Sequence, residues 1–236
     1  MTGALSTTDL LAWLGFAVLG FLIGSIPFGL LIAKRHGIDI RHHGSGNIGA
    51  TNVRRVLGKK PGTICFVLDV LKGLVPTLAA GLVMGTAGTF AMTAPAAWAW
   101  LGVMAMPVLG HVLCPWIGFK GGKGVATGLG TLVGVFPALT VPGVLAAAVW
   151  ITTVKTTRYV GVASCAAALS LPALAWGWLT VGPALLDRPA GARLPFAVVT
   201  GILAVLVIIR HRGNLSRTLA GTEPKIGTPE EPAPSA

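Results

Sequence analysis

The sequence predicts an all-α, polytopic integral membrane bundle of about seven membrane helices including a short broken pair, and three observations carry that prediction. Of 236 residues, 53% are hydrophobic and only 11% charged, whereas a water-soluble domain carries about a quarter charged residues. The mean hydropathy is +0.79. The apolar residues fall in continuous runs of about 20, the length that crosses a bilayer core, and not in the alternation over about ten residues that a barrel strand would show. Within lipid the backbone must then be satisfied inside each segment, which leaves helices. Too little polar chain remains for a separate soluble domain, so a single membrane domain is expected over residues 1–226, with a polar, Pro-rich, disordered tail over 227–236.

The first helix is expected at about Leu10 to Ala33. Asp9 precedes it without a basic n-region, and its apolar run outlasts a signal-peptide core, so it is expected to stay in the mature chain. Gly24-Ser25-Ile26-Pro27 interrupts it, and Ser25 can bond a carbonyl freed at the proline. The second helix, about Thr63 to Thr86, carries Asp69 and Lys72 three residues apart; charges at such depth are costly, and an ion pair is expected. The third spans about Met92 to Leu113, with His111 beside Gly110 near its end. Between Val125 and Ile151, Gly134, Pro137, Pro142 and Gly143 favour a break, giving two short helices. Runs at about Val160 to Val181 and Leu194 to Ile209 complete the set. Cys65, Cys114 and Cys165 have neither metal-ligand spacing nor an even count, so no metal site and no disulfide framework is expected.

Lys and Arg number 18 against 7 Asp and Glu, a net charge of +11. Such a surplus suits anionic headgroups, nucleic acid or a phosphorylated substrate alike. Its distribution sets topology. Lys34, Arg35, Arg41, Arg54, Arg55, Lys59 and Lys60 cluster after the first helix, and Arg210, Arg212, Arg217 and Lys225 follow the last, so both segments are expected to be cytoplasmic. A broken pair that crosses twice satisfies this parity, with the N-terminus outside and the C-terminus inside.

Three Gly-rich basic segments then share the cytoplasmic side. In Arg41-His42-His43-Gly44-Ser45-Gly46-Asn47-Ile48-Gly49-Ala50-Thr51-Asn52-Val53-Arg54-Arg55 the glycines permit close backbone approach, and Ser45, Asn47, Thr51 and Asn52 supply short polar groups. That composition suits an oxyanion, and also a basic loop touching headgroups. Phe119-Lys120-Gly121-Gly122-Lys123-Gly124-Val125-Ala126-Thr127 precedes a helical run, an arrangement that can cradle an anion at a helix N-terminus. It is not a nucleotide phosphate loop, because Gly124 and not Ser or Thr follows Lys123. A solvated turn shares the same letters. In Arg210-His211-Arg212-Gly213-Asn214-Leu215-Ser216-Arg217, a continuing helix would put His211 and Asn214 on one face, while the arginines alone would serve as an interfacial anchor.

Taken together, Gly44 to Asn52, Gly110-His111 with Phe119 to Thr127, and Arg210-His211-Arg212 with Asn214 resemble the three motifs of the bacterial PlsY family of acyl-phosphate-dependent glycerol-3-phosphate acyltransferases. The resemblance runs from Gly24-Ser25-Ile26-Pro27 to Gly221-Thr222-Glu223-Pro224-Lys225 in family order. The Pro-rich tail and an expanded loop around Ala184 to Leu194 depart from the pattern without touching a motif. The resemblance implies transfer of a fatty acyl group from acyl phosphate to the sn-1 hydroxyl of glycerol 3-phosphate in the bacterial inner membrane, giving lysophosphatidic acid and phosphate at a site facing the cytoplasm. Membrane lipids would surround the enzyme, and neither cofactor, metal, nucleic acid nor obligate protein partner is expected.

It implies His211, Asn214, Ser45 and Arg55 as catalytic residues, and Asn47, Thr51, Asn52, His111, Lys120, Gly121, Gly122, Lys123, Gly124 and Thr127 as substrate-binding ones. The acyl-phosphate head is placed near Ser45, Asn47, Thr51, Asn52 and Arg55, and glycerol 3-phosphate near Lys120, Lys123 and the amides of Gly121, Gly122 and Gly124; the two assignments are exchangeable. The hydroxyl proton goes either to His211 or to the departing phosphate. Rival functions are a phosphate transporter, which should show repeat symmetry that this sequence lacks, and a non-catalytic scaffold. An acyl-CoA enzyme would bring a His-x-x-x-x-Asp pair, and none of His42, His43, His111 or His211 has an Asp at that spacing.

Overall fold

The computed structural model describes residues 5–227; all but the first residue of the polar tail expected after Ile226 lies outside them. Among the described residues the regular structure is helical: α1 (Thr7–Gly24), α2 (Phe28–Arg35), α3 (Ala50–Leu57), α4 (Lys59–Val83), α5 (Ala94–Val112), α6 (Val125–Gly134), α7 (Thr140–Thr157), α8 (Val160–Leu185) and α9 (Leu194–Leu219). The expected all-helical membrane bundle is therefore observed. Five stretches, Thr7–Arg35, Lys59–Val83, Ala94–Ile117, Val160–Leu185 and Leu194–Leu219, are long and apolar enough to cross a membrane.

Local chemistry explains where these helices begin and break. A capping box starts α1 ahead of the apolar run: Ser6 Oγ accepts from the Asp9 N–H and Asp9 returns the bond to the Ser6 N–H, each at 3.1 Å. The break at Ser25–Pro27 is satisfied by side chains, as lipid requires. Ser25 Oγ donates to Leu22 O at 2.7 Å, Lys72 Nζ to Ile26 O at 2.8 Å and Cys114 Sγ to Ser25 O at 3.0 Å. Helix α3 replaces what reads as an irregular loop, because its apolar Val53 packs inward while Thr51, Arg54 and Arg55 stay at least partly exposed.

Glycines let the helices approach. A Cβ on Gly24 would lie 2.3 Å from the Pro107 carbonyl oxygen and one on Gly110 2.2 Å from that of Phe21, which locks α1 to α5. The α4–α6 contact is reciprocal, Gly73 against Thr127 O and Gly130 against Val70 O. Trp100, fully buried, donates its indole N–H to Thr77 O at 2.9 Å and ties α5 to α4. Leu14, Val75, Leu82, Val144, Leu169 and Val205 remain exposed as a lipid-facing surface.

The pair after Val125 departs from the two short helices expected, because only the first is short. Helix α6 has 10 residues, about 15 Å, whereas α7 has 18, about 27 Å. Pro142 does not break α7 because it falls in the first turn, where its missing N–H has no intrahelical acceptor to serve. Val135, Ala138 and Leu139 in the intervening turn are fully buried. The carbonyls in and beside this turn are satisfied: Phe136 O by the Gly88 N–H at 2.9 Å, Pro137 O by Trp178 Nε1 at 3.2 Å, and Val133 O at the end of α6 by Thr140 Oγ1 at 3.0 Å. Since Gly88 lies in the α4–α5 connection, at the end opposite the basic segments, the α6–α7 turn reaches that far end.

Candidate active site

The first basic segment is shaped by its own residues. Ile40, Ile48 and Val53, buried to within 3%, fasten it against α2 and Cys65 of α4. Arg41 Nη2 meets Asp39 at 2.5 Å, and the guanidinium holds that carboxyl well below the usual carboxylate range. Asn52 is the brace. Its Oδ1 accepts the Ser45 N–H at 2.9 Å, and its Nδ2 reaches Asn47 O at 2.9 Å, His43 O at 3.0 Å and Ile40 O at 3.4 Å. The amide's donors are thereby committed to the loop, and Asn52 shapes the surface instead of offering it an NH group.

The second segment folds back along the end of α5. The Gly121 and Gly122 N–H groups donate to Val112 O and His111 O, each at 3.1 Å, and Arg210 Nη2 clamps the two glycine carbonyls at 3.0 and 2.9 Å. These amides are already engaged, contrary to the expectation that they face a phosphate. The glycines serve close approach instead: a Cβ on Gly122 would lie 2.1 Å from His111 Nε2. Lys120 is exposed, and Thr127 is wholly buried with its carbonyl against Gly73. Gly124, at φ +79°, makes the left-handed turn that opens α6, whose first residues Val125 and Ala126 line the cavity described below. Lys123 is half-buried and donates to Asn214 Oδ1; burial is the main influence pushing its ammonium below the ordinary lysine range.

The third segment is helical, because α9 continues past Ile209 to Leu219. His211, only 2% exposed, has Nδ1 at 2.8 Å from Val207 O. A carbonyl only accepts, so Nδ1 carries the hydrogen and a neutral ring keeps its lone pair on Nε2. Asn214 follows on the same face and donates Nδ2 to Glu223 at 2.5 Å, while Arg217 Nε meets the other carboxylate oxygen at 2.7 Å. Behind these groups, Asp69 and Lys72 form the expected ion pair at 2.8 Å, with His111 Nδ1 at 3.8 Å from the same oxygen. No cluster able to hold a metal ion occurs among the described residues.

One cavity of about 810 Å³ collects these groups. Ser45, Asn47, Thr51, Asn52, Arg55, His111, Lys123, Gly124, His211 and Asn214 all line it; Lys120, Gly121, Gly122 and Thr127 do not. Arg217 and Glu223 line it as well, unforeseen as site residues because their roles depend on a chain reversal after α9 that no local pattern announces. The cavity continues between α6, α7, α8 and α9 past Leu132, Ala146, Leu171 and Leu203. It therefore joins a cationic, hydrogen-bonding end to an apolar slot, a form suited to an amphiphile with an anionic head.

A family model for glycerol-3-phosphate acyltransferase matches residues 14–221. A glycerol-3-phosphate acyltransferase of Thermosynechococcus vestitus is 42% identical over 220 residues, covering 89% of this chain and 93% of its own. The crystal structure of PlsY, an integral membrane glycerol 3-phosphate acyltransferase, in its glycerol 3-phosphate form superposes with a TM-score of 0.74 at 37% identity, covering 91% of this chain and 96% of that one. Its lysophosphatidic acid form gives a TM-score of 0.72 at the same identity, with 91% and 95% covered.

Proposed function

The chain belongs to the glycerol-3-phosphate acyltransferase family, and we propose that it passes a fatty acyl group from acyl phosphate to the sn-1 hydroxyl of glycerol 3-phosphate. The observation that carries this reading is the single cavity in which all three basic segments meet an apolar slot. Both substrates bear phosphate, one bears a fatty chain, and the product, lysophosphatidic acid, keeps both features. The PlsY structures in glycerol 3-phosphate and lysophosphatidic acid forms support the same substrate and product here.

Ser45, Asn47, Thr51 and Arg55 hold one phosphate, with Asn52 keeping their loop in shape. Lys123 and the N-terminus of α6 at Gly124 hold the other, that of glycerol 3-phosphate; the partial positive charge of a helix N-terminus adds to the ammonium. The hydroxyl oxygen attacks the acyl carbon, the bond from that carbon to the phosphate oxygen breaks, and inorganic phosphate leaves. Acyl phosphate is a mixed anhydride with a good leaving group, so positioning and charge neutralisation supply most of the acceleration. The hydroxyl proton has two acceptors, Nε2 of His211 and an oxygen of the departing phosphate. A His211→Ala enzyme that keeps near-normal turnover assigns it to the phosphate. No covalent acyl-enzyme is needed, and trapping an acylated Ser45 would contradict this scheme.

The cavity end of the bundle faces the cytoplasm of a bacterial inner membrane, with the N-terminus outside, as the clustering of Lys and Arg at that end supports. No protein partner is required. The test offers labelled acyl phosphate, acyl-CoA and acyl-carrier protein in parallel to purified protein with glycerol 3-phosphate. Transfer from acyl phosphate alone, one inorganic phosphate per lysophosphatidic acid, is expected; transfer from a thioester alone would overturn the donor assignment.

A further inference from the structure

At the foot of α9 the chain reverses through a Schellman turn. Gly221, at φ +72°, donates its N–H to Thr218 O at 3.1 Å, and Thr222 donates to Arg217 O at 2.8 Å. The reversal brings Glu223 back beneath the helix, its own N–H on Arg217 O at 3.1 Å. Farther on the segment is pinned to the α7–α8 junction: the Ile226 N–H donates to Arg158 O at 2.9 Å, and Arg158 Nη2 to Ile226 O at 3.1 Å. Glu223 is thus held in the cavity wall, only 8% exposed. A carboxylate there opposes the entry of a phosphate dianion, so its presence calls for a physical reason.

The reason lies in hydrogen-bond direction. An ionised carboxylate only accepts, so Asn214 must turn its NH₂ toward Glu223, at 2.5 Å. The amide oxygen then points the opposite way, where it accepts from the Lys123 ammonium. Arg217, at 2.7 Å, fixes the other carboxylate oxygen. We propose that Glu223 is a positioning residue for phosphate recognition, fixing the Asn214 amide so that it holds the Lys123 ammonium at the cavity. The assignment rests on the reading of this cavity as the site of glycerol 3-phosphate.

Charge adds an observable consequence. Lys123 is surrounded by Arg55 from α3 and by Arg210, Arg217 and His211 from α9; burial and the three guanidinium groups disfavour its charged form, and Glu223 favours it. Removing the charge at 223 therefore lets Lys123 lose its proton at a lower pH.

Glu223→Gln removes the charge and leaves one acceptor oxygen where two served, so it can keep the bond from Asn214 or the bond from Arg217 but not both. Its KM for glycerol 3-phosphate should rise about tenfold with kcat nearly unchanged. The alkaline limb of kcat/KM should move to lower pH, which a merely structural role would not cause. Asn214→Asp sets carboxylate against carboxylate and should lose about a hundredfold in kcat/KM. Combining it with Glu223→Gln should recover about tenfold, because the glutamine amide donates where Asn214 did. An unmoved alkaline limb, or a double variant no better than Asn214→Asp, overturns the proposal. Wild-type enzyme in the same assay separates the two levels: a wild type unable to acylate glycerol 3-phosphate refutes the reading of the site, whereas an active wild type with indifferent variants refutes only the role of Glu223.

Discussion

Residues 40–55 are braced by hydrogen bonds among themselves, centred on Asn52, with their apolar side chains resting on α2 and α4, whereas Lys123, Asn214, Arg217 and Glu223 hold one another across three separate stretches of chain. The first region is a prefabricated wall; the second is assembled only once α6, α9 and the segment after α9 have docked. Damage should therefore behave differently in each. A break in the local loop deforms a surface without disturbing the bundle, while a change in the shared chain moves charge and affinity together.

The largest expected effect tests the prefabricated wall. Asn52→Ala strands the Ser45 N–H and two or more loop carbonyls, each costing about 1–3 kcal/mol when buried, so kcat/KM should fall by about a hundredfold or more. Thermal unfolding followed by circular dichroism should shift to lower temperature, since the stranded groups destabilise the folded state, while the helical content before unfolding should stay close to wild type. Activity within a few-fold of wild type would show that the loop does not need its brace. Next comes the clamp between the regions. Gly122→Ala forces a methyl onto the His111 ring, an overpacking worth about 1–3 kcal/mol, and kcat/KM should drop roughly tenfold to a hundredfold. Replacing His111 with Ala in the same chain makes room and should return part of that loss; no recovery would place the strain elsewhere.

A pH series sharpens the second half of the comparison. Burial holds the Lys123 ammonium below the ordinary lysine range, so affinity for glycerol 3-phosphate should fall as pH rises through a point lower than a free lysine would give. Lys123→Arg keeps its charge and should carry that limb upward. The sign for stability is opposite: the folded pKa is the depressed one, so between the two pKa values the folded chain binds fewer protons and this group's contribution to stability rises with pH. A limb at the same pH in both enzymes would remove Lys123 from phosphate recognition. The smallest effect belongs to Lys120, exposed and outside the cavity; Lys120→Ala should change kcat/KM by no more than about twofold, and a larger loss would extend the site beyond its present edge.

The contrast also explains what the sequence could disclose. Long apolar runs encode burial in lipid directly, so the helices and the buried Asp69–Lys72 pair were legible, as was the Ser25 bond at the proline break. Motif residues such as Ser45, Lys123 and His211 stand out in the sequence by their chemistry, and the cavity is lined by most of the candidates so chosen. Bond direction was not. That Asn52 spends its amide on its own loop, that Gly121 and Gly122 face α5, and that Arg210 clamps their carbonyls are facts of tertiary proximity over separations as long as 89 residues. The length of α7 was hidden because Pro142 reads as a break and is in fact a first-turn residue.

If one cavity seats both phosphates and the fatty chain, a structure with glycerol 3-phosphate and a non-transferable acyl phosphonate bound together will show it. Both phosphorus atoms should lie in the cavity, one against Arg55 and the other against Lys123, with the chain between α7, α8 and α9. Either headgroup bound outside that cavity, or a chain lying on the lipid-facing surface, would contradict it.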